Sequence, residues 1–154
     1  MNIKILATEV DKLGNTIEIM QCDTLGHSPV YSFFLRHMSA LIDNGHCFPI
    51  TTWDDDRCGA VYAQANGKVL GHIVYDTDNP NAPGALWITL SAVDELCRGR
   101  GIYTILHKYF EQVAKERGCW SIASHVHVKN TVRLKSAESV GMKPVFYVIG
   151  KKIQ

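Results

Sequence analysis

The sequence predicts a mixed α/β fold, with an antiparallel sheet in the first half and a central pair of parallel strands after it. Three observations carry this. Asn66-Gly67 separates two apolar stretches, Gly59 to Ala65 and Val69 to Tyr75, and this dipeptide supplies the positive φ angles of a tight hairpin. Ile102, Ile105, Leu106, Tyr109, Phe110, Val113 and Ala114 recur at three and four, which is one apolar stripe on a helix. That helix lies between two apolar strands, Ala85 to Val93 and Trp120 to Val128. A right-handed crossover sets two such strands parallel.

The elements follow in order. Asn2 to Ala7 and Thr16 to Cys22 read as strands joined by the turn residues Asp11 to Asn15, with their place in the sheet left open. Ser28-Pro29 predicts a helix start, with Ser28 as N-cap and proline in the first turn. Tyr31, Phe34, Leu35, Met38, Leu41 and Ile42 make its apolar face, and Asn44-Gly45 ends it. Residues 46–57 are irregular and hold the acidic run Asp54-Asp55-Asp56. After the hairpin, the proline- and asparagine-bearing stretch 76–84 is a loop. His107, Lys108, Glu111, Gln112, Lys115 and Glu116 form the polar face of the long helix, and Gly118 is its C′ residue. Asn130 predicts the N-cap of a short helix through Val140, ended by Gly141. Lys143 to Ile153 supplies one or two closing strands.

At 154 residues, residues 1–154 are expected to form a single domain. The 46% hydrophobic and 20% charged content is that of an ordinary globular chain. A net charge of +1 provides no electrostatic argument for nucleic acid or an anionic membrane, so neither partner is expected. No apolar run is long enough to span a bilayer, and the N-terminus lacks a signal-peptide layout. The five cysteines are odd in number and widely spaced, without a Cys-x-x-Cys pair. Reduced thiols and a cytoplasmic location are the expectation. His27, His46 and Cys47 match no metal spacing, so no metal is expected.

The chemistry is expected at Leu96 to Gly101, where a strand runs through Arg98-Gly99-Arg100-Gly101 into a helix N-terminus. Free N–H groups and the helix dipole make such a turn an anion cradle. Two arginines add charge, and the two glycines let the backbone approach a ligand closely. A phosphate-bearing ligand follows from this pattern.

Val93 to Ile102 resembles the acetyl-CoA loop of the GNAT superfamily of N-acetyltransferases. That family's pattern is Arg/Gln-x-x-Gly-x-Gly/Ala with an aliphatic strand-end residue five positions before it. Val93, Arg98 and Gly101 match, while Tyr103 stands where glycine or alanine is usual. A second family block, asparagine, a short helix and Gly-Phe, is present as Asn130 through Gly141-Met142. The resemblance covers roughly residues 59–153. It implies a single-domain mixed sheet flanked by about four helices, whose central parallel strands splay after the glycine loop. It implies acetyl-CoA as cosubstrate, a pyrophosphate on the N–H groups of Arg98, Gly99, Arg100, Gly101, Ile102, Tyr103 and Thr104, and a pantetheine arm paired with Ser91, Ala92 and Val93. Asn130 would add an amide to the same arm. An amine acceptor and a possible homodimer complete the implied partners.

Acetyl transfer requires a neutral amine, a polarised thioester and a proton or stabiliser for the departing thiolate. The family's usual acid is a tyrosine seven residues after the asparagine; Ala137 occupies that position here. Tyr103, Tyr147 and Cys97 are substitutes, and Ser136 and Ser139 are poor acids. His125 and His127 alternate on the strand over 120–128 and share a face with Ser121 and Ala123, so His125 is the candidate base. The alternative is that both are ordinary polar residues of a half-buried strand. Glu95 is read as a turn residue. The acidic run is read as a solvated turn, or as an attractor for a cationic amine.

Two rival functions stand beside the enzyme. The same fold can hold an acyl-CoA without efficient turnover, which Ala137 favours. A nucleotide-binding α/β protein would need a third loop glycine or a loop lysine. Thr104 occupies the former position and the latter is missing.

Overall fold

The computed structural model describes residues 2–46, 53–80 and 82–145. Six strands form one sheet in chain order: β1 (Ile3–Val10), β2 (Thr16–Cys22), β3 (Cys58–Ala65), β4 (Lys68–Asp76), β5 (Ala85–Val93) and β6 (Ser121–Ser124). The first five are antiparallel neighbours, and β5 and β6 are parallel. Both N-terminal strands therefore belong to the main sheet. Three α-helices, α1 (Tyr31–Asp43), α2 (Ile102–Glu116) and α3 (Thr131–Ser139), lie among the described residues with a short 3-10 turn at Glu95–Cys97. The described helices thus number three, beside an expectation of about four for the chain.

Each sheet face has its own core. On one, Ile19, Val61, Ile73, Leu86 and Ile88 pack against Ile102, Leu106, Phe110 and Val113 of α2. On the other, Met20, Ala60, Tyr62, Val74 and Leu90 pack against Phe33, Phe34 and Met38 of α1. The alternation Ala60/Val61/Tyr62 delivers successive side chains to opposite faces, as a strand must. Fully buried residues such as Leu86, Leu106 and Phe110 each contribute about 1.5–3 kcal/mol of burial.

Local chemistry sets the joints. Asn66 (φ 51°) and Gly67 (φ 73°) turn the β3–β4 hairpin in the left-handed region. Gly118 follows the last turn of α2 at φ 70°.

Three expectations are corrected. The first helix begins at Tyr31, with Val30 rather than Ser28 at the N-cap. The chain first closes turns from Ser28 N–H to Leu25 O and from Tyr31 N–H to Ser28 O. Its buried stripe is Phe33, Phe34 and Met38, while Leu35 and Ile42 are exposed, because the rings of Phe33 and Phe34 both pack on His72 of β4. The strand expected over 120–128 ends at Ser124. Lys143 to Val145 carry no regular structure, and the rest of the expected closing strands, with Tyr147, lies outside the described residues.

Candidate functional site

β5 and β6 part in mid-sheet. Their pairing runs from Ala85↔Ser121 to Ile88↔Ser124 and stops, while β5 continues to Val93. The parting coincides with an irregularity on the other side of β5. Val74 pairs with Leu90 but Tyr75 pairs with Ile88, so Thr89 is an extra residue. A bulge sharpens strand twist and ends regular pairing. Beyond it, Ser91, Ala92 and Val93 pair with Ile73, His72 and Gly71 of β4 on one edge only. Their other edge has no strand beside it among the described residues.

The loop closes the end of this gap. The Asp94 carboxylate accepts from Leu96 N–H at 3.0 Å and starts the 3-10 turn, which buries Cys97. Gly99 (φ 76°) and Gly101 (φ 79°) then reverse the chain, and Gly101 is the N-cap of α2. The first helical bond runs from Ile105 N–H to Gly101 O, leaving Ile102, Tyr103 and Thr104 N–H ahead of the ladder.

The two loop arginines have different fates. Arg98 is half-exposed, 3.6 Å from Glu95, and its charge is available at the loop surface. Arg100 turns away and pairs with Asp11, Nη2 to Oδ2 at 2.5 Å, with Nη1 3.3 Å from Cys97 Sγ. Burial by itself would raise the Asp11 carboxyl. Hydrogen bonds from Asn15 N–H, Arg100, the Asn15 amide and Leu13 N–H outweigh it and hold the group at about 2. Lys12 N–H donates to Arg100 O at 3.1 Å, so the β1–β2 turn is bolted under the loop. Arg100 thus presents only its backbone to a ligand.

The residues beside the gap suit a donor bearing phosphate and amide groups. A row of free N–H groups lies at the start of α2, where a helix end favours anions, and Ser91 Oγ and Tyr103 OH are buried without a hydrogen-bond partner among the described residues. Burial raises the Tyr103 hydroxyl above its ordinary value, so it is a proton donor at neutral pH; Arg133 and Ser91 beside it only moderate this. Asn130 caps α3, its side chain accepting from Arg133 N–H at 3.2 Å. Ala137, one turn after Arg133, is buried. Cys97 lies under the loop, and Ser136 and Ser139 bond to their own helix.

His125 and His127 are not strand residues. His125 is the first residue beyond the last β5–β6 pair, edge-on to the Trp87 ring at 4.6 Å. His127 lies in the following turn, stacked on His46 at 5.7 Å. This brings the segment after α1 to the segment before α3. The acidic run is a turn: Leu25 N–H donates to Asp55 O, Asp56 N–H to Asp54 Oδ1, and Trp53 Nε1 to Asp55 Oδ1. Trp53 packs on Phe34 and Trp87 is in the core. Among the described residues, no group of three His, Cys, Asp or Glu is placed to hold a metal.

Sequence reasoning missed two residues. His107, expected on the polar face of its helix, is buried, its Nδ1 3.1 Å from Glu111 Oε1. Arg133 reaches from α3 to the Tyr103 ring, 5.2 Å from its centroid. A legible signal was its position on the face shared by Asn130 and Ala137.

A glycine loop at a helix N-terminus beside a parted parallel pair is the arrangement that the resemblance to the GNAT acetyltransferases implies. The profile of the acetyltransferase (GNAT) family matches residues 24–142, and the chain belongs to that family. Solved structures agree at the level of fold. An AAC(6')-Iy complex with the bisubstrate analogue CoA-S-monomethyl-acetylneamine superposes with TM-score 0.60 at 17% identity, over 90% of this chain and 98% of that one. The aminoglycoside acetyltransferase meta-AAC0020, from an uncultured soil metagenomic sample and bound to sisomicin, gives 0.66 at 15% identity, over 90% and 95%. A ribosomal-protein-alanine N-acetyltransferase from Brucella melitensis biovar Abortus 2308 gives 0.65 at 15% identity, over 90% and 99%. No curated protein matches the chain by sequence.

Proposed function

We propose that the protein is a cytoplasmic N-acetyltransferase that moves an acetyl group from acetyl-CoA to a primary amine by direct attack in a ternary complex. The observation that carries this is the parting of β5 and β6 at the Thr89 bulge, on the strand that leads through the glycine loop into α2. When bound, acetyl-CoA supplies an activated thioester. The loop N–H groups of Arg98 to Thr104 and the Arg98 side chain hold its phosphates. Ser91, Ala92 and Val93 are the candidates to present backbone donors and acceptors to its amide-bearing arm, and Asn130, whose Oδ1 caps α3, is the candidate for a further amide contact to it. Attack forms the C–N bond and breaks the C–S bond, the amine gives up a proton, and the thiolate gains one. Tyr103, protonated at neutral pH, is the candidate donor of that proton. His125, at the fork of the strands beside Trp87, is the candidate acceptor of the amine proton. Fixed positioning of donor and amine supplies much of the rate in such a reaction.

The structural neighbours above include aminoglycoside acetyltransferases and a ribosomal-protein-alanine N-acetyltransferase, so both acceptor classes enter the test. Thiol release from acetyl-CoA is followed with an aminoglycoside, a polyamine and an alanine-terminated peptide. Amine-dependent release is expected. Tight acetyl-CoA binding with no acceleration by any amine would sink the enzyme reading. It would leave an acyl-CoA-binding protein of the same fold, the second reading, which the buried Ala137 at the usual acid position supports.

A further inference from the structure

Four polar side chains from three elements meet beside the first turns of α2 with unused hydrogen-bonding capacity. They are Ser91 on β5, Tyr103 and His107 on α2, and Arg133 on α3. Ser91 Oγ, Tyr103 OH, His107 Nε2 and both terminal nitrogens of Arg133 are buried and lack a hydrogen-bond partner among the described residues. His107 is 3% exposed, with its ring 5.9 Å from that of Tyr103. Its Nδ1 faces Glu111, so Nε2 is the nitrogen left toward the cluster.

The guanidinium is the decisive member. It is a donor with no acceptor capacity and a permanent charge. Arg100 has Asp11, and Arg98 has Glu95 and solvent. For Arg133 the group that acts on the charge, besides burial, is the Tyr103 hydroxyl, which lies close enough to share a hydrogen bond with it but carries no charge to balance it; no carboxylate acts on it. A largely buried cation with no carboxylate partner among the described residues favours an anion beside it. It lies over the ring of Tyr103, whose N–H is one of the free donors in the first turn of α2. The helix dipole and the guanidinium therefore both favour negative charge beside the first turn of α2.

We propose that Arg133 is a phosphate-binding residue of the donor site, reaching across from α3 to grip a diphosphate oxygen against the free N–H groups of α2. It fills from the far wall the role that the loop pattern assigned to Arg100. The inference rests on the acyl-CoA reading for the identity of the ligand, and on the cluster itself for the anion.

Binding of CoA, of acetyl-pantetheine, which lacks phosphates, and of inorganic pyrophosphate is measured by calorimetry on the wild type, Arg133→Gln and Arg133→Lys. Arg133→Gln is expected to weaken CoA on the order of 10- to 100-fold, the loss of one charge-assisted hydrogen bond. Acetyl-pantetheine should bind unchanged, and Arg133→Lys should recover part of the loss. Without ligand, Arg133→Gln should melt at the wild-type temperature or above, since a buried unpaired charge has been removed. Unchanged CoA affinity overturns the proposal. So does equal loss of CoA and acetyl-pantetheine, or a lowered melting temperature of the ligand-free variant, each of which makes Arg133 structural. In the wild type, higher salt should weaken CoA more than acetyl-pantetheine; equal salt dependence also counts against it. If the wild type binds pyrophosphate through Arg133 but not CoA, the acyl-CoA reading fails and the anion site stands.

Discussion

Asp11 and Arg100 are 89 residues apart in the chain and lie in direct contact, with the carboxylate side chain fully buried under the glycine loop. The pair fixes the turn between β1 and β2 against the segment that opens α2. Its carboxyl is held at about 2, below its ordinary value of 3.8. A lowered folded-state value means that the stabilisation is complete above the unfolded value and is lost as pH falls toward the folded one. The stability gap between wild type and Asp11→Asn should stay level from about pH 7 to 4 and close by about pH 2. Urea unfolding across that range tests it. A gap that persists at the acid end would show that the charge of Asp11 is not what stabilises.

Gly101 sits at φ 79°, and a Cβ there would lie 3.1 Å from Lys12 Cε. Gly101→Ala should cost about 1–2 kcal/mol for the left-handed backbone. Because this residue caps α2, CoA affinity should fall with it. Thermal melts with and without CoA separate the two effects. Wild-type affinity in the variant would mean that the loop does not hold the ligand through this turn.

Ala137 occupies a buried position on α3 where the family's acid is usually found. Ala137→Tyr adds a ring to a packed site, with a stability cost of about 1–3 kcal/mol. General acid catalysis is worth roughly 100-fold or more. Amine-dependent kcat should therefore rise by about tenfold or more if the variant folds. A folded variant with unaltered kcat would place the slow step elsewhere than thiolate protonation.

His72 is fully buried on β4 between Phe33 and Phe34, and neither ring nitrogen has a partner among the described residues. Burial, with a smaller contribution from His37, lowers its pKa from 6.5 to about 3. Protonation then favours the unfolded chain, so His72 erodes stability as pH drops below about 6.5, at roughly 1.4 kcal/mol per unit. His72→Leu should remove that slope and leave stability at neutral pH close to wild type, since an unpaired polar ring is replaced by an apolar group. Denaturant titrations from about pH 7 to 4 measure it. Parallel pH curves for the two proteins would exclude His72 as the titrating group.

What was legible in the sequence is what short-range chemistry determines. Asn66-Gly67, Gly118 and the apolar stripe from Ile102 to Ala114 depend on neighbours within a turn, and the structure places them as read. Arg100 was legible as a loop cation but not as the partner of Asp11, because nothing near either residue encodes a contact 89 positions away. His107 reads as a polar-face residue on periodicity, yet it is buried between Tyr103 and Phe110. Arg133 of α3 reaches the Tyr103 ring on this flank of α2, a neighbour that the pattern of α2 alone cannot show. The histidine strand failed for a related reason. Alternation continued past Ser124, but β6 loses its neighbour when β5 bends at Thr89, and a strand without a partner is not held.

The parted edge of β5 has a pharmacological side. Thr89 to Val93 is a row of backbone groups whose edge beyond the last β6 pair no described strand completes. Such a row accepts any extended chain of amides in register. Short peptidomimetics with an apolar group at the fork and an anion at the α2 end are therefore a rational starting scaffold for inhibitors, with no need of an adenine ring.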